Sequence, residues 1–198
     1  MEIRIINTAR ELYFRFGIRS VTLDDIAKDL GISKKTIYLH FKDKDELVQR
    51  VVEDSVNEEL LRAIQIKEKS KNPIEEVIMS MKLMKEMLQD INLVLFYDLE
   101  KYHPVSFSKY AEFKKLFYEI IKRNLQEGVD QNLYRKDINV EILTRFRMEI
   151  IDMGFNPQIF PQNHFNQIDI HLQITDNFLR GILTPAGLEL YEKTKIDI

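Results

Sequence analysis

The run Thr22-Leu-Asp-Asp-Ile-Ala-Lys-Asp-Leu-Gly-Ile-Ser-Lys-Lys-Thr-Ile-Tyr-Leu-His-Phe41 gathers side chains able to contact a polyanion. Lys34 and Lys35 offer ammonium groups to guanine acceptors or to phosphates, and Tyr38 and His40 can donate to phosphate oxygens. Lys44 opens the following helix, where a cation beside the positive helix end favours phosphate. Thr22, Ser33 and Thr36 add small hydroxyls at helix starts. A short exposed helix with Lys and small polar residues at its N-terminal end suits insertion into a DNA major groove.

Such a helix must be held by its neighbours, and the spacing supplies them. Thr22 with Asp25 three places on reads as an N-cap opening one short helix. Ile26, Ala27 and Leu30 form its inner face, and small Ala27 lets the next helix cross closely. Gly31 supplies the turn. Ser33 caps a second short helix from Lys34 to about His40, anchored inward by Ile32 and Ile37. Asp43-Lys-Asp-Glu46 repeats the cap pattern. Upstream, Ile5, Ala9, Leu12 and Phe16 recur at helical spacing over residues 2–16, with Gly17 as C-cap. A lone Lys-Lys pair is usually a solvated surface. Cap, small residue, glycine turn, second cap and polar helix together are far more specific.

Residues 1–47 resemble the DNA-binding head of the TetR (tetracycline-repressor-like) family of bacterial transcriptional regulators. The resemblance is carried by Ala9-Arg-Glu-Leu12, Phe16-Gly17, Val21-Thr-Leu-Asp-Asp-Ile-Ala27, Leu30-Gly-Ile-Ser33, Thr36-Ile-Tyr-Leu-His-Phe-Lys42 and Lys44-Asp-Glu-Leu47. It implies an all-α homodimer: a three-helix helix-turn-helix head (1–47) that binds a palindromic operator, and a larger helical body (48–198) for dimerisation and for a small effector that releases the DNA. Two residues depart from the family pattern. Lys35 stands where Gly or Pro is common, which puts a long cation in the groove, and Leu39 stands where an aromatic is common.

The 198 residues are 44% hydrophobic, enough for a real core. The formal net charge of −3 argues by itself against a nucleic-acid partner. It divides unevenly. Residues 1–50 hold 10 Lys/Arg against 8 Asp/Glu, and the other 148 residues hold 19 against 24. The acidity therefore belongs to the body, and Lys34, Lys35, Lys42 and Lys44 cluster around the recognition segment. Cys is absent, which excludes disulfides, thiolate metal sites and thiol catalysis. No apolar leader or membrane span is legible, so a cytoplasmic location without a membrane partner is expected.

In the body, helices are expected from Asp43 to about Ile66, from Ile74 to about Gln89, ahead of Pro104, from Phe107 to Glu127 stopped by Gly128, from Val140 to Met153 stopped by Gly154, and from Asn166 to Leu183, with a tail helix after Pro185. Four of the seven Met fall in Met79–Met87. Met79, Leu83 and Met87, with Phe96, Tyr97, Phe113, Phe117 and Phe146, are candidate walls of an apolar effector cavity, and Asn124 a candidate polar anchor. On the Asn166–Leu183 helix, Ile168, Leu172, Leu179 and Ile182 read as core. Ile170, Ile174 and Phe178 read as a second stripe against a partner, with Ile150 and Met153 beside them in a four-helix dimer interface. His171 reads as an interface or surface residue.

The four His, His40, His103, His164 and His171, show no metal-pair spacing, and neither a phosphate loop nor a nucleophile elbow is present. No metal, cofactor or enzymatic activity is expected. A helical small-molecule carrier or interaction module without specific DNA binding is the alternative reading.

Overall fold

Side-chain caps set most helix starts in this chain. The computed structural model describes residues 1–161 and 163–195. These form α1 (Glu2–Phe16), α2 (Leu23–Leu30), α3 (Lys34–Tyr38), α4 (Lys44–Lys69), α5 (Pro73–Asp90), α6 (Val94–Tyr102), α7 (Pro104–Asp130), α8 (Val140–Gly154), α9 (Gln167–Ile182) and α10 (Pro185–Thr194). Among the described residues there is no strand, only an isolated antiparallel bridge between Tyr134 and Leu183. No helix among them is long and apolar enough to cross a membrane.

Two compact units divide the chain. The first is Met1–Leu61 with Asp90–Lys114, the second Arg62–Gln89 with Lys115–Ile198. The first is therefore larger than a head ending at residue 47, because Leu95 and Leu99 of α6 join the core built by α1–α4. In α1 the buried positions are Ile5, Ile6, Ala9 and Tyr13. Phe16, expected on that stripe, is exposed, with the Arg15 guanidinium 5.0 Å from its ring centre. Tyr13 takes the inner place, and burial raises its phenol pKa. Gly17 has φ 82° and Gly31 φ 66°, conformations that favour glycine at both turns.

The core of the second unit joins α5, α7, α9 and α10 through Ile74, Ile78, Leu125, Tyr134, Leu179, Ile182 and Tyr191. Of the two glycines expected to stop helices, Gly154 is the last residue of α8, and Gly128 lies in the last turn of α7, which runs on to Asp130. A Cβ on Gly128 would fall 1.9 Å from the Tyr134 ring, and one on Gly154 would fall 2.5 Å from the His171 ring. Each glycine makes room for a ring.

The inner face of α9 differs in part from the one its apolar spacing predicts. Its buried residues are Ile170, His171, Thr175, Leu179 and Ile182. His171, expected at a surface, is only 1% exposed and packs with its ring centre 4.2 Å from that of Phe155. Ile170, expected to face a partner, is buried within its own chain.

Candidate nucleic-acid interface

The chain builds α3 from both ends. Thr22 Oγ1 accepts from Asp25 N at 3.2 Å, while Asp25 Oδ2 accepts from Thr22 N at 2.8 Å and Thr22 Oγ1 at 2.6 Å. This reciprocal cap fixes the start of α2 and holds the Asp25 carboxyl pKa down through the Thr22 hydrogen bonds. Gly31 in the left-handed region closes α2 onto Ala27 and Lys28 carbonyls. Ser33 Oγ then accepts from Thr36 N at 3.2 Å and lies 2.9 Å from Thr36 Oγ1. Ile37 is fully buried beneath α3. The outward side is left to Lys35, Tyr38, Leu39 and His40, all exposed.

The eight residues singled out in the sequence thus divide by what they are bonded to. Lys35, Tyr38 and His40 face solvent around α3. Thr22, Ser33 and Thr36 spend their hydroxyls on caps. Lys34 is paired with Asp24 of α2, Nζ to Oδ2 at 2.6 Å, a hydrogen bond that raises the lysine's pKa. Lys44 turns inward instead of standing free at the start of α4. Its Nζ donates to the Ile18 carbonyl at 2.6 Å and lies 5.9 Å from the Tyr13 ring centre. Burial lowers its pKa, with Asp98, Asp45 and Asp25 opposing that shift.

In the sequence Leu39 stands out only as a departure from an aromatic. It is 75% exposed at the end of α3, an apolar knob of the kind that meets a thymine methyl. Asp98 was missed altogether. It is 2% exposed, and its Oδ2 accepts from Arg19 N at 2.8 Å. The Arg19 guanidinium meets Tyr102 Oη at 3.2 Å. No local signal marks Asp98, because its partner lies 79 residues away.

The residues proposed as cavity walls are scattered in character. In the first unit the Phe96 and Tyr110 ring centres are 5.8 Å apart and those of Tyr110 and Phe113 6.2 Å, whereas Tyr97 is 54% exposed. In the second unit Met79, Leu83 and Met87 share a part-buried face of α5, Phe117 is part-buried on α7, and Phe146 is 51% exposed. Asn124 is no free anchor. Its Nδ2 donates to the Pro73 carbonyl and Glu76 Oε2, both at 3.0 Å, and its Oδ1 accepts from Tyr134 Oη at 3.1 Å. Glu76, itself buried, also pairs with Arg123 and lies 3.7 Å from Lys67 Nζ. Of the residues assigned to the dimer face, Ile150, Met153, Ile174 and Phe178 are part-buried. Ile142 and Phe146 of α8 are the more open apolar pair, at 62% and 51% exposure.

A capped helix-turn-helix with an open polar second helix, set in an all-helical chain, defines a DNA-binding regulator. Residues 5–51 match the family model described as bacterial regulatory proteins, tetR family. The chain is 28% identical over 184 residues to the HTH-type transcriptional regulator YvaF of Bacillus subtilis, covering 92% of this chain and 95% of that protein. It is 26% identical over 151 residues to the HTH-type transcriptional repressor KstR2 of Mycolicibacterium smegmatis, covering 72% and 71%. The fold is similar to the crystal structure of the regulator FadR from Bacillus subtilis in complex with stearoyl-CoA, with TM-score 0.71, 18% identity and coverage of 92% and 100%. Residues 5–51 thus carry the DNA-binding segment of the tetR family, and over most of its length the chain is similar to HTH-type transcriptional regulators.

Proposed function

We propose that this regulator is a repressor that sits on a palindromic operator as a homodimer and leaves it when a small, largely apolar effector enters the body. The observation that carries the reading is α3: capped at Ser33, anchored by buried Ile37, and open at Lys35, Tyr38, Leu39 and His40. Residues 1–47 act as the DNA-binding domain and 48–198 as the effector and dimerisation domain. Lys35 reads base edges from within the groove. Tyr38 and His40 hold phosphates; behind them Thr22, Ser33 and Thr36 cap the helices, Lys34 pairs with Asp24, and Lys44 braces the start of α4 through the Ile18 carbonyl. Two heads meet half-sites about 34–36 Å apart.

The repressor sense is supported by the relative KstR2, and an effector in the body by the neighbour bound to stearoyl-CoA. For the dimer, the support is the exposed α8 pair Ile142 and Phe146, beside part-buried Ile150 and Met153 and, on α9, Ile174 and Phe178. Met79, Leu83 and Met87 of α5 offer adaptable apolar wall for the effector. A cytoplasmic location follows from DNA as the partner.

A mobility-shift assay on the DNA upstream of the protein's own gene tests the reading. Binding at nanomolar protein, with Lys35→Ala changing sequence preference, is the expected result. Failure to distinguish that DNA from random duplex would favour the carrier-module alternative. Sedimentation showing a monomer at micromolar concentration would remove the dimer.

A further inference from the structure

The second unit holds a cation without a counterion among the described residues. Arg147, on α8, donates from Nη2 to Thr175 Oγ1 of α9 at 2.8 Å, and its guanidinium carbon lies 5.1 Å from the Phe178 ring centre. Its Nη1 is sealed from solvent and has no hydrogen-bond acceptor among the described residues. One turn from Thr175 lies His171, 1% exposed, whose Nε2 is likewise without a partner. One turn further, both polar atoms of the Gln167 amide are buried and unpaired. Residues 167, 171 and 175 are spaced by four and so form one row along α9.

The electrostatics agree with the geometry. Burial pulls the Arg147 guanidinium down to about 10, and no carboxylate opposes the shift. Burial, with repulsion from Arg147, pulls His171 down to about 4, so its ring is neutral and Arg147 alone carries the charge of the row. One neutral hydroxyl and one aromatic face do not replace the hydration a guanidinium gives up. An oxyanion would. It can take both edges of the guanidinium fork, and the Gln167 amide and the neutral His171 ring can donate to it.

We propose that Arg147, Thr175, His171 and Gln167 form an oxyanion subsite, and that the effector is an organic acid with a carboxylate or phosphate head on an apolar body. The Phe178 and Phe155 rings flank the row and supply apolar wall. This rests on the reading that the body binds an effector, and it assigns that effector a charge.

The test uses the full chain and its Arg147→Met variant with octanoate, octyl phosphate, neutral octanamide, and chloride at matched ionic strength. Thermal shift reports binding, and mobility shift on the upstream DNA reports release. The expected result is that octanoate or octyl phosphate stabilises the wild type more than octanamide does, and that the variant binds the favoured oxyanion about tenfold to a hundredfold more weakly. Which of the two acts separates carboxylate from phosphate. Without ligand, the variant is expected to melt no lower than the wild type, because an unpaired buried charge has been removed.

The inference is overturned if neither oxyanion acts beyond chloride, or if the ligand-free variant is clearly less stable. It is also overturned if the variant's dimerisation weakens in sedimentation, since a second copy would then be the counterion. Octanamide releasing DNA equally from both proteins would keep the effector reading and sink the oxyanion subsite. Oxyanion binding lost in the variant but without effect on DNA would keep the subsite and sink its link to release.

Discussion

Asp24→Asn should strengthen DNA binding and steepen its dependence on salt. In the free protein the Lys34 ammonium is held by Asp24 at 2.6 Å, and both side chains are largely exposed. Exposed pairs of this kind add little to folding, so breaking one costs little stability. The reciprocal Thr22–Asp25 cap stays intact in the variant, and the start of α2 is preserved. What changes is the charge offered to DNA: a carboxylate one helix away from the groove is gone, and Lys34 is free to reach a phosphate. Each added phosphate contact steepens the slope of log K against log salt by about 0.9. Between 50 and 200 mM salt, one new contact per head gives an extra loss of about 3.5-fold, and two heads give about 12-fold. Fluorescence anisotropy on operator and random duplexes across that range measures the slope directly. The gain should appear on both duplexes, since phosphates carry no sequence. An unchanged slope in the variant would show that Lys34 never engages the backbone, and the reasoning would fail.

Lys44→Met should lower stability by about 1 kcal/mol, through loss of the charged hydrogen bond to the Ile18 carbonyl, and leave the salt slope of DNA binding unchanged; a flatter slope with unaltered melting would return Lys44 to the phosphate role. His171 should make stability fall with acidity between about pH 6.5 and 4. Its folded pKa lies below the unfolded value, so its contribution is complete above about pH 6.5 and is lost as pH drops to about 4, by at most about 3 kcal/mol. The His171→Gln variant should show a shallower melting profile over that window, and identical profiles would refute this. Gly128→Ala should destabilise by about 1–3 kcal/mol, since its Cβ would fall within the Tyr134 ring; a chemical melt unchanged from wild type would show that Tyr134 moves aside freely.

The head was legible because its signals are local. Thr22 and Asp25 are three residues apart, as are Ser33 and Thr36, and Gly17 and Gly31 take positive φ at helix ends. What escaped the sequence was set across distance. Lys34 is occupied by a residue ten positions back, and Lys44 by a carbonyl 26 positions back. Both read as free cations because nothing local shows a partner. Gly154 ends α8 as its type suggests, but Gly128 sits within the last turn of α7, and the close approach of the Tyr134 and His171 rings to the two glycines has no local signal. On α9 two of the five buried positions are polar, so an apolar stripe could not locate the inner face. Asn124 has the spacing of a cavity residue and the bonds of a core one.

Within the first unit, the corner joining α1 to α2 is held by residues far along the chain. Asn92 N donates to the Phe14 carbonyl at 2.6 Å, satisfying an acceptor in the last turn of α1. Asp98 accepts the backbone of Arg19, Tyr102 meets its guanidinium, and Leu95 and Leu99 fill the core beneath. Lys44 ties the start of α4 to the same corner through Ile18. A Cβ on Gly17 would come within 3.2 Å of the Asp98 carboxylate, so α6 approaches the corner about as closely as a glycine allows. The recognition helix therefore cannot be treated as carried by α1–α4 alone. The backbone bonds that hold the corner between α1 and α2 end on α6 and the residues just before it. A displacement of α6 must either break a buried carboxylate's hydrogen bond or drag the corner along. Breaking it strands Asp98 without its donor at 2% exposure, the costlier course. The α6 helix thus braces the corner between α1 and α2, and through it the unit that carries α3.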